Sequence, residues 1–548
     1  MSKFAEYVEI NSNLAREFLF GLLYCHFVVI CYLVIAIKSF GISGVNGYIV
    51  DVEVDIAKGL PGYTLVGLPD NAVKEGKERV KSAILNLGYK FPVGNVVINL
   101  APAAAKKEGA IYDLPIAVGI LSNTHVITKP LTNWAFFGEL SLNGELRRVN
   151  GVLPALLTAV DKKIQNVVIP ADNYHEASFV SGINIYTARN LADVVNYFAG
   201  DMLEPAPLVQ VKSANFETLL ADAIYPCDMK YVRGQYVAKR ALEIAAAGGH
   251  NILLIGPPGS GKTMLAKCFQ TILPPMTFAE SMETTKIHSC AGLLDAEHGI
   301  VLTRPFRCPH HTASTVSLAG GGKYARPGEI SLAHNGVLFL DEMPEYNRSC
   351  LELLRQPLEN HSIMISRAAM TVEYPASFVL VASMNPCPCG YYGSRINRCK
   401  CTQSKIQNYL GKISGPLLDR IDLHIEVDQV TYDDLTNDQL AEDSATIRAR
   451  VTKARAIQNQ RFAKTTIHSN ATMDTALTKK YCALDENGEQ ILKTAFENLH
   501  LSARAYTRIL KVARTIADLA GSTEILPEHL TEAISYRSLD RFNRGGHE

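Results

Sequence analysis

The sequence predicts an α/β protein: a parallel sheet with an all-helical carboxyl-terminal unit, and a second α/β domain ahead of it. Three observations predict it. An apolar strand runs straight through a glycine-rich loop into a helix in NILLIGPPGSGKTMLAKCF. Two further short apolar runs, GVLFLDE and FVLVASMNP, end in polar residues, as buried parallel strands do. From Thr431 onward, runs such as SARAYTRILKVARTIADLAG keep helical periodicity.

The amino-terminal 32 residues form an apolar extension. Phe18–Ile37 contains no formal charge, and twenty such residues are long enough to span a bilayer. The alternative is that Leu33–Lys38 opens the first strand of the next domain. Residues 33–200 then alternate short strands, glycine turns and helices. YIVDVEVDI is a strand of period two, a helix starts near Pro69, NVVINLAP is an apolar strand, and YDLPIAVGILS is a buried helix. FFGELSLNGELRRVNG is a hairpin with an Asn-Gly turn. Residues 201–225 carry prolines and mixed polarity and are expected to be a linker. Residues 226–430 hold the parallel sheet, and 431–548 the helical unit, where Gly521 and Pro527 punctuate.

Lys and Arg together number 54, as do Asp and Glu. Zero net charge excludes a bulk polycation, so any nucleic-acid contact must come from local patches. Twelve cysteines in 548 residues are too sparse for a disulfide scaffold. The expectation is a cytoplasmic protein with no membrane partner.

Asn251–Thr263 has the form strand, G-x-x-x-x-G-K-T, helix. Gly256, Pro257, Pro258, Gly259, Ser260 and Gly261 would turn backbone N–H groups inward around phosphate oxygens. Lys262 would reach the β and γ phosphates, and the Thr263 hydroxyl would meet Mg²⁺. Asp341 ends the strand of GVLFLDE, where open α/β sheets bind ligands. It would hold Mg²⁺, and Glu342 would polarise the attacking water. Asn385, at the end of FVLVASMNP, would set that water against the γ-phosphate. Tyr231 and Val232 would flank the base.

These motifs resemble those of AAA+ ATPases. In GPLLDRIDLHIEV, Arg420 resembles the arginine finger that completes a neighbour's site. Arg504 resembles the helical-lid arginine that touches the γ-phosphate in cis. A finger given in trans implies a homo-oligomer, a hexameric ring. The stretch RPFRCPHHTASTVSLAGGGKYARPGEISLAHNGVLFLDEMPE, with NPCPCG and SGPLLDRIDLHIEV, narrows the resemblance to the magnesium-chelatase-like ComM/YifB family of bacteria. It covers about residues 34–545. The resemblance implies an ATP-driven helicase that promotes branch migration of single-stranded and branched DNA in natural transformation, alongside recombination proteins. A chelatase-type ATPase subunit that remodels a protein partner is the alternative.

Related rings insert a loop near 309–328 and a hairpin at SIMISRAAMTVEY, which makes Lys323 and Arg367 candidate contacts to the phosphate backbone. His310 and His311, after Cys308, are weighed as metal ligands and set aside, because one short run supplies too few. GELSLNGELRRVNGVLPALLTAV and NVVIPADN resemble a Lon-protease-like (S5-type) domain. That protease needs a Ser–Lys dyad. Here no serine lies between Lys106 and Gly119, and Leu153 stands where the lysine would fall. The domain is therefore expected to be non-catalytic.

In NPCPCGYYGSRINRCKC, Cys387, Cys389, Cys399 and Cys401 form two Cys-x-Cys pairs nine residues apart. Four thiolates suit a closed structural Zn²⁺ site. Arg395, Arg398 and Lys400 would offset its negative charge and could touch DNA. Four reduced, inert thiols, or a pair of disulfides in an oxidising cell, remain the other reading.

Overall fold

The computed structural model describes residues 35–199, 208–322, 325–367, 370–393, 397–429, 441–465, 467–499 and 501–537. The apolar extension 1–32, Lys323 and Arg395 lie outside the described residues. The chain divides into two compact units, the first of Met1–Gly41 and Gly47–Lys212, the second of Ile42–Asn46 and Ser213–Glu548.

The first unit holds an eight-stranded sheet. Its strands are β1 (Ile35–Ser43), β2 (Asn46–Ala57), β3 (Gly62–Val66), β4 (Asn95–Ala101), β5 (Trp134–Phe136), β8 (Asn166–Pro170), β9 (Asn184–Ala188) and β10 (Val209–Gln210), in the order β10-β9-β8-β5-β1-β2-β4-β3. The period-two pattern of β2 explains its burial: Val50, Val52 and Val54 face the core with no exposed surface. Asp70 caps the helix Asn71–Asn86 by accepting from the Val73 N–H at 2.9 Å. The helix Asp113–Asn123 is buried on nearly every side, as its unbroken apolar sequence requires. The expected hairpin is present: β6 (Glu139–Leu140) pairs antiparallel with β7 (Leu146–Arg147). Within the stretch expected to be a linker, β10 joins the first sheet by pairing with β9, and Phe216–Ala221 forms a helix. Leu153 is buried in the core. Its side chain offers no proton acceptor, so the lysine role has no substitute there.

The second unit is built on β11 (Ile252–Ile255), β12 (Phe306–Arg307), β15 (Val337–Leu340), β18 (Val379–Met384) and β19 (Leu423–Glu426). All run parallel, in the order β12-β15-β18-β11-β19. Every residue of β11 and β15 is buried, which is why both read as unbroken apolar runs. The register Ile255↔Met384 and Leu340↔Ala382 brings three strand ends to one edge. Two short hairpins project from this framework. β13 (Gly320–Gly321) pairs with β14 (Arg326–Pro327), and β16 (Ser362–Arg367) pairs with β17 (Met370–Pro375).

The helices Ser444–Arg461, Thr475–Tyr481, Glu486–Leu499, Ala503–Ala520 and Pro527–Ser535 complete the unit. Ala503–Ala520 buries Ala505, Ile509, Val512, Ala513, Ile516 and Ala517 at three- and four-residue spacing, the stripe of a core-facing helix. Ser502 caps its start, and Gly521 ends it at φ 72°, a left-handed conformation that suits glycine. Among the described residues no helix is long and apolar enough to cross a membrane.

Candidate functional site

The carboxyl edge of the second sheet gathers Lys262, Thr263, Asp341, Glu342 and Asn385 from the ends of three strands. The loop 256–261 leaves β11 and enters the helix Lys262–Ile272. Gly259 (φ 76°) and Gly261 (φ 86°) take left-handed backbone, which turns successive N–H groups to one side. Gly256 is required by space, since a Cβ there would lie 2.3 Å from the Val427 carbonyl oxygen. The Lys262 ammonium donates to the carbonyls of Gly256 (2.7 Å) and Pro257 (2.8 Å), and to Asn385 Oδ1 (3.3 Å). Burial lowers its pKa, and the Asp341 and Glu342 carboxylates oppose that shift. Ser260 is buried, with its Oγ 3.5 Å from the same ammonium.

Thr263 Oγ1 donates to Asp341 Oδ2 at 3.0 Å. A hydroxyl and a carboxylate so placed are the two protein groups that a phosphate-bound divalent cation needs. The Glu342 backbone sits at φ 53°, unusual for a non-glycine residue, and donates to Ser383 Oγ at 3.1 Å. Ser383 Oγ in turn donates to Asp341 Oδ1. One hydroxyl therefore orients the carboxylate and fixes the strained turn that presents the neighbouring Glu342. Ser383 was not singled out from the sequence, although its signal is there: it is a fully buried polar residue inside an apolar strand. Gln235 was also missed. Its Nε2 donates to the carbonyls of Asp428 (2.6 Å) and Ser260 (3.4 Å), tying the loop to the segment after β19. Val232 is buried, and Tyr231 is 57% exposed with the Lys230 ammonium 5.1 Å from its ring centre.

Arg420 and Arg504 lie elsewhere. Arg420 precedes β19, and Asn251, at the start of β11, donates to its carbonyl at 3.0 Å. It therefore belongs to the amino edge of the sheet. The phosphate loop leaves the opposite edge, across a four-residue strand that rises about 13 Å. The Arg420 side chain is 4% exposed and binds the Pro416 carbonyl and the Glu359 carboxylate. Arg504 reaches the same Glu359 oxygen at 3.8 Å. The structure thus brings the two arginines together on one carboxylate.

Beneath them lies a buried network that sequence reasoning did not find. Asp422 accepts from the Asn251 N–H (3.1 Å), faces His250 Nδ1 (3.3 Å) and pairs with Arg508. His250 Nε2 meets Thr515 Oγ1 at 2.8 Å. This network pins the helix Ala503–Ala520 to the base of β11 and β19.

The four cysteines converge. Their sulfurs all lie within 4.8 Å of one another. Cys387–Cys389 is 3.3 Å, Cys387–Cys399 is 3.7 Å and Cys389–Cys399 is 3.6 Å. Disulfide sulfurs stand about 2.05 Å apart, so the group is not disulfide-bonded. Zinc–thiolate bonds of about 2.3 Å in a tetrahedron put sulfurs about 3.8 Å apart. The donor set fits such an ion. Backbone donors at Lys400 and Tyr391, and then Cys387, pull the Cys389 thiol down to about 6. The loop also touches the phosphate site, since a Cβ at Gly390 would lie 2.4 Å from Pro258 Cδ. Arg398 and Lys400 are exposed beside it. Among the described residues, His310 and His311 belong to no cluster of metal-ligand type; His310 Nδ1 pairs with Thr312 Oγ1 at 2.8 Å.

The two hairpins touch. A Cβ at Gly321 would lie 2.4 Å from an Arg367 guanidinium nitrogen, and Tyr374 donates to the Ala325 carbonyl at 2.9 Å. Arg367 is exposed at the end of β16.

Three family models match the chain: "Subunit ChlI of Mg-chelatase" over residues 52–173, "Magnesium chelatase, subunit ChlI" over 228–435, and "Magnesium chelatase, subunit ChlI C-terminal" over 441–537. Competence protein ComM of Haemophilus influenzae is 45% identical over 502 residues, covering 91% of this chain and 96% of that protein. The uncharacterized protein YifB of Escherichia coli is 43% identical with the same coverage. The magnesium-chelatase 67 kDa subunit of Heliobacterium mobile is 28% identical over 30% of this chain and 29% of its own.

Proposed function

This chain belongs to the magnesium-chelatase-like family that includes competence protein ComM and YifB, and from that premise we propose that it is an ATP-driven ring motor acting on DNA. One observation carries the reading. The groups that bind and orient a nucleoside triphosphate stand at one edge of the sheet, and the arginine that would complete them stands at the other. A site divided in this way is completed by a second copy of the chain.

The roles follow from the geometry. Backbone N–H groups of 256–261 and the Lys262 ammonium bind the phosphates, with Val232 and Tyr231 beside the base. Thr263 and Asp341 hold Mg²⁺, which when bound neutralises phosphate charge. Glu342 orients the attacking water, and Asn385, hydrogen-bonded to Lys262, sets the angle of approach. Arg420 stabilises the leaving charge on a neighbour's nucleotide. Because Arg504 shares its carboxylate, it serves the same neighbouring phosphate rather than the one in cis. In a hexameric ring the paired hairpins face the pore, where Arg367 meets the DNA backbone. Relatedness to a competence protein supports branch migration on incoming DNA, in the cytoplasm and alongside recombination proteins, as the work done. A measurement of ATP turnover with and without a four-way DNA junction tests the motor. Stimulation together with junction migration is expected. Turnover indifferent to both junctions and single strands would favour the chelatase-type reading, a motor that remodels a protein partner.

Arg367→Ala is expected to weaken DNA binding without regard to base sequence and to lower the log–log salt slope by about 1. Fluorescence anisotropy across a salt series checks this.

Cys387, Cys389, Cys399 and Cys401 would hold Zn²⁺ as a structural staple, with the exposed Arg398 and Lys400 beside it available to DNA. Elemental analysis of purified protein is expected to find one zinc per chain. A variant with all four cysteines changed to serine should lose the metal and melt at a lower temperature. Well-folded wild-type protein without zinc would end the assignment.

A further inference from the structure

Arg420 is poorly placed to act as it stands. Its side chain is 4% exposed, so a neighbouring molecule cannot reach the guanidinium without its moving. Among the described residues its Nε meets no hydrogen-bond acceptor, and its two terminal nitrogens are spent on Pro416 and Glu359. A buried guanidinium needs a counter-ion, and the half-exposed Glu359 supplies it. The same carboxylate oxygen lies 3.8 Å from Arg504, whose side chain is 57% exposed. Arg355 stands in the same neighbourhood but is occupied by Glu352 at 2.9 Å. One carboxylate therefore sits between two guanidiniums, at a position where an incoming phosphate would also be attracted. Glu359 belongs to the short helix Pro357–Asn360, which runs directly into β16, the strand that ends at Arg367.

We propose that Glu359 is a positioning residue that holds Arg420 withdrawn in the single subunit and yields it to a neighbour's γ-phosphate. This rests on the reading of Arg420 as the arginine that acts between subunits. The carboxylate and the phosphate compete for the same two cations, so the stronger anion of a loaded neighbour draws the finger out. An unloaded neighbour leaves it latched, and subunits do not hydrolyse ATP out of turn. Because the latch and the hairpin share one short connection, strain at Arg367 acts on the helix that carries Glu359.

Two measurements test this. The first is the rate at which phenylglyoxal modifies Arg420 in nucleotide-free protein, read by peptide mass spectrometry. Slow modification is expected in the wild type. It should be roughly 10-fold faster in Glu359→Gln, since a charge-assisted hydrogen bond is lost, and intermediate in Glu359→Asp. The second is ATP turnover against protein concentration. Glu359→Gln should reach half-maximal turnover at a several-fold lower concentration, with its maximum undiminished. Unchanged labelling of Arg420 in Glu359→Gln overturns the latch. So does a fall in maximal turnover with faster labelling, because Glu359 would then support the finger rather than restrain it. Undiminished turnover in Arg420→Ala overturns the reading of the finger itself. The labelling rates would still decide whether Glu359 holds Arg420.

Discussion

Lys262→Ala is expected to lower ATP turnover by at least about 100-fold and to stop branch migration. Removing one preorganised donor to a developing charge costs about that much. The lysine contributes more than one contact. Its ammonium draws the carbonyls of Gly256 and Pro257 around itself and holds the Asn385 side chain at 3.3 Å. Alanine removes the proposed phosphate cation and frees the Asn385 side chain together. The fold should not suffer, because position 262 opens a helix and alanine is the best helix former. DNA binding should persist, since Arg367 lies on a separate hairpin. Phosphate release and migration of a four-way junction check both halves. Turnover above about a tenth of wild type would overturn the assignment of this loop as the catalytic phosphate site.

The second large effect is on stability. Asp422→Asn is expected to destabilise the second unit by roughly 3–5 kcal/mol, the cost of breaking a buried ion pair on one side. Asp422 is 3% exposed and faces Arg508, His250 and the Asn251 N–H. An amide leaves the Arg508 guanidinium without its carboxylate. At roughly 2–4 °C per kcal/mol for a unit of this size, calorimetry should show a melting temperature about 10 °C lower. Lys412→Ala, which breaks the exposed pair with Glu345 at 3.3 Å, should change stability by no more than about 1 kcal/mol. The pH dependence has a definite sign. Burial alone would raise the Asp422 pKa, but Arg508 and His250 outweigh it and hold the carboxyl far below its usual range. A depressed carboxylate stabilises fully above its unfolded value of about 3.9, and that contribution is lost as pH falls toward the folded value. The gap between wild type and variant should stay constant from about pH 5 to 8 and narrow only in stronger acid. An equal gap at all pH values, or none, would remove Asp422 from this role.

The phosphate site was legible because each of its parts is local. A glycine loop needs particular residues at particular spacings, and Asp341 and Asn385 are marked by the apolar strands they end. Ser383 carried a weaker local mark, one hydroxyl in a buried strand. Glu359 carried none. It is an ordinary half-exposed glutamate on a short helix, and nothing near it in the chain indicates that arginines 61 residues away (Arg420) and 145 residues away (Arg504) converge on it. The expectation for Arg504 came from likeness of motif, which records neighbours in sequence and not that this side chain comes to rest 3.8 Å from Glu359. The same holds for Asp422, whose partners come from the start of β11 and from the helix Ala503–Ala520.

The sequence by itself determined the parallel sheet, the phosphate loop with its acidic partner, the helical unit and the two cysteine pairs. Each depends on residue type and short-range periodicity, which backbone geometry converts directly into structure. The tertiary structure alone decided that the four thiols meet at metal-binding distance and that the two hairpins touch. It alone placed Lys262, Thr263, Asp341 and Asn385 at one edge of the sheet and Arg420 and Arg504 at the other. Those outcomes depend on strand order and on packing between distant segments. A parallel sheet sends each strand's carboxyl end to one edge and its amino end to the other, so residues at opposite ends of β11 and β19 come to rest a strand's length apart.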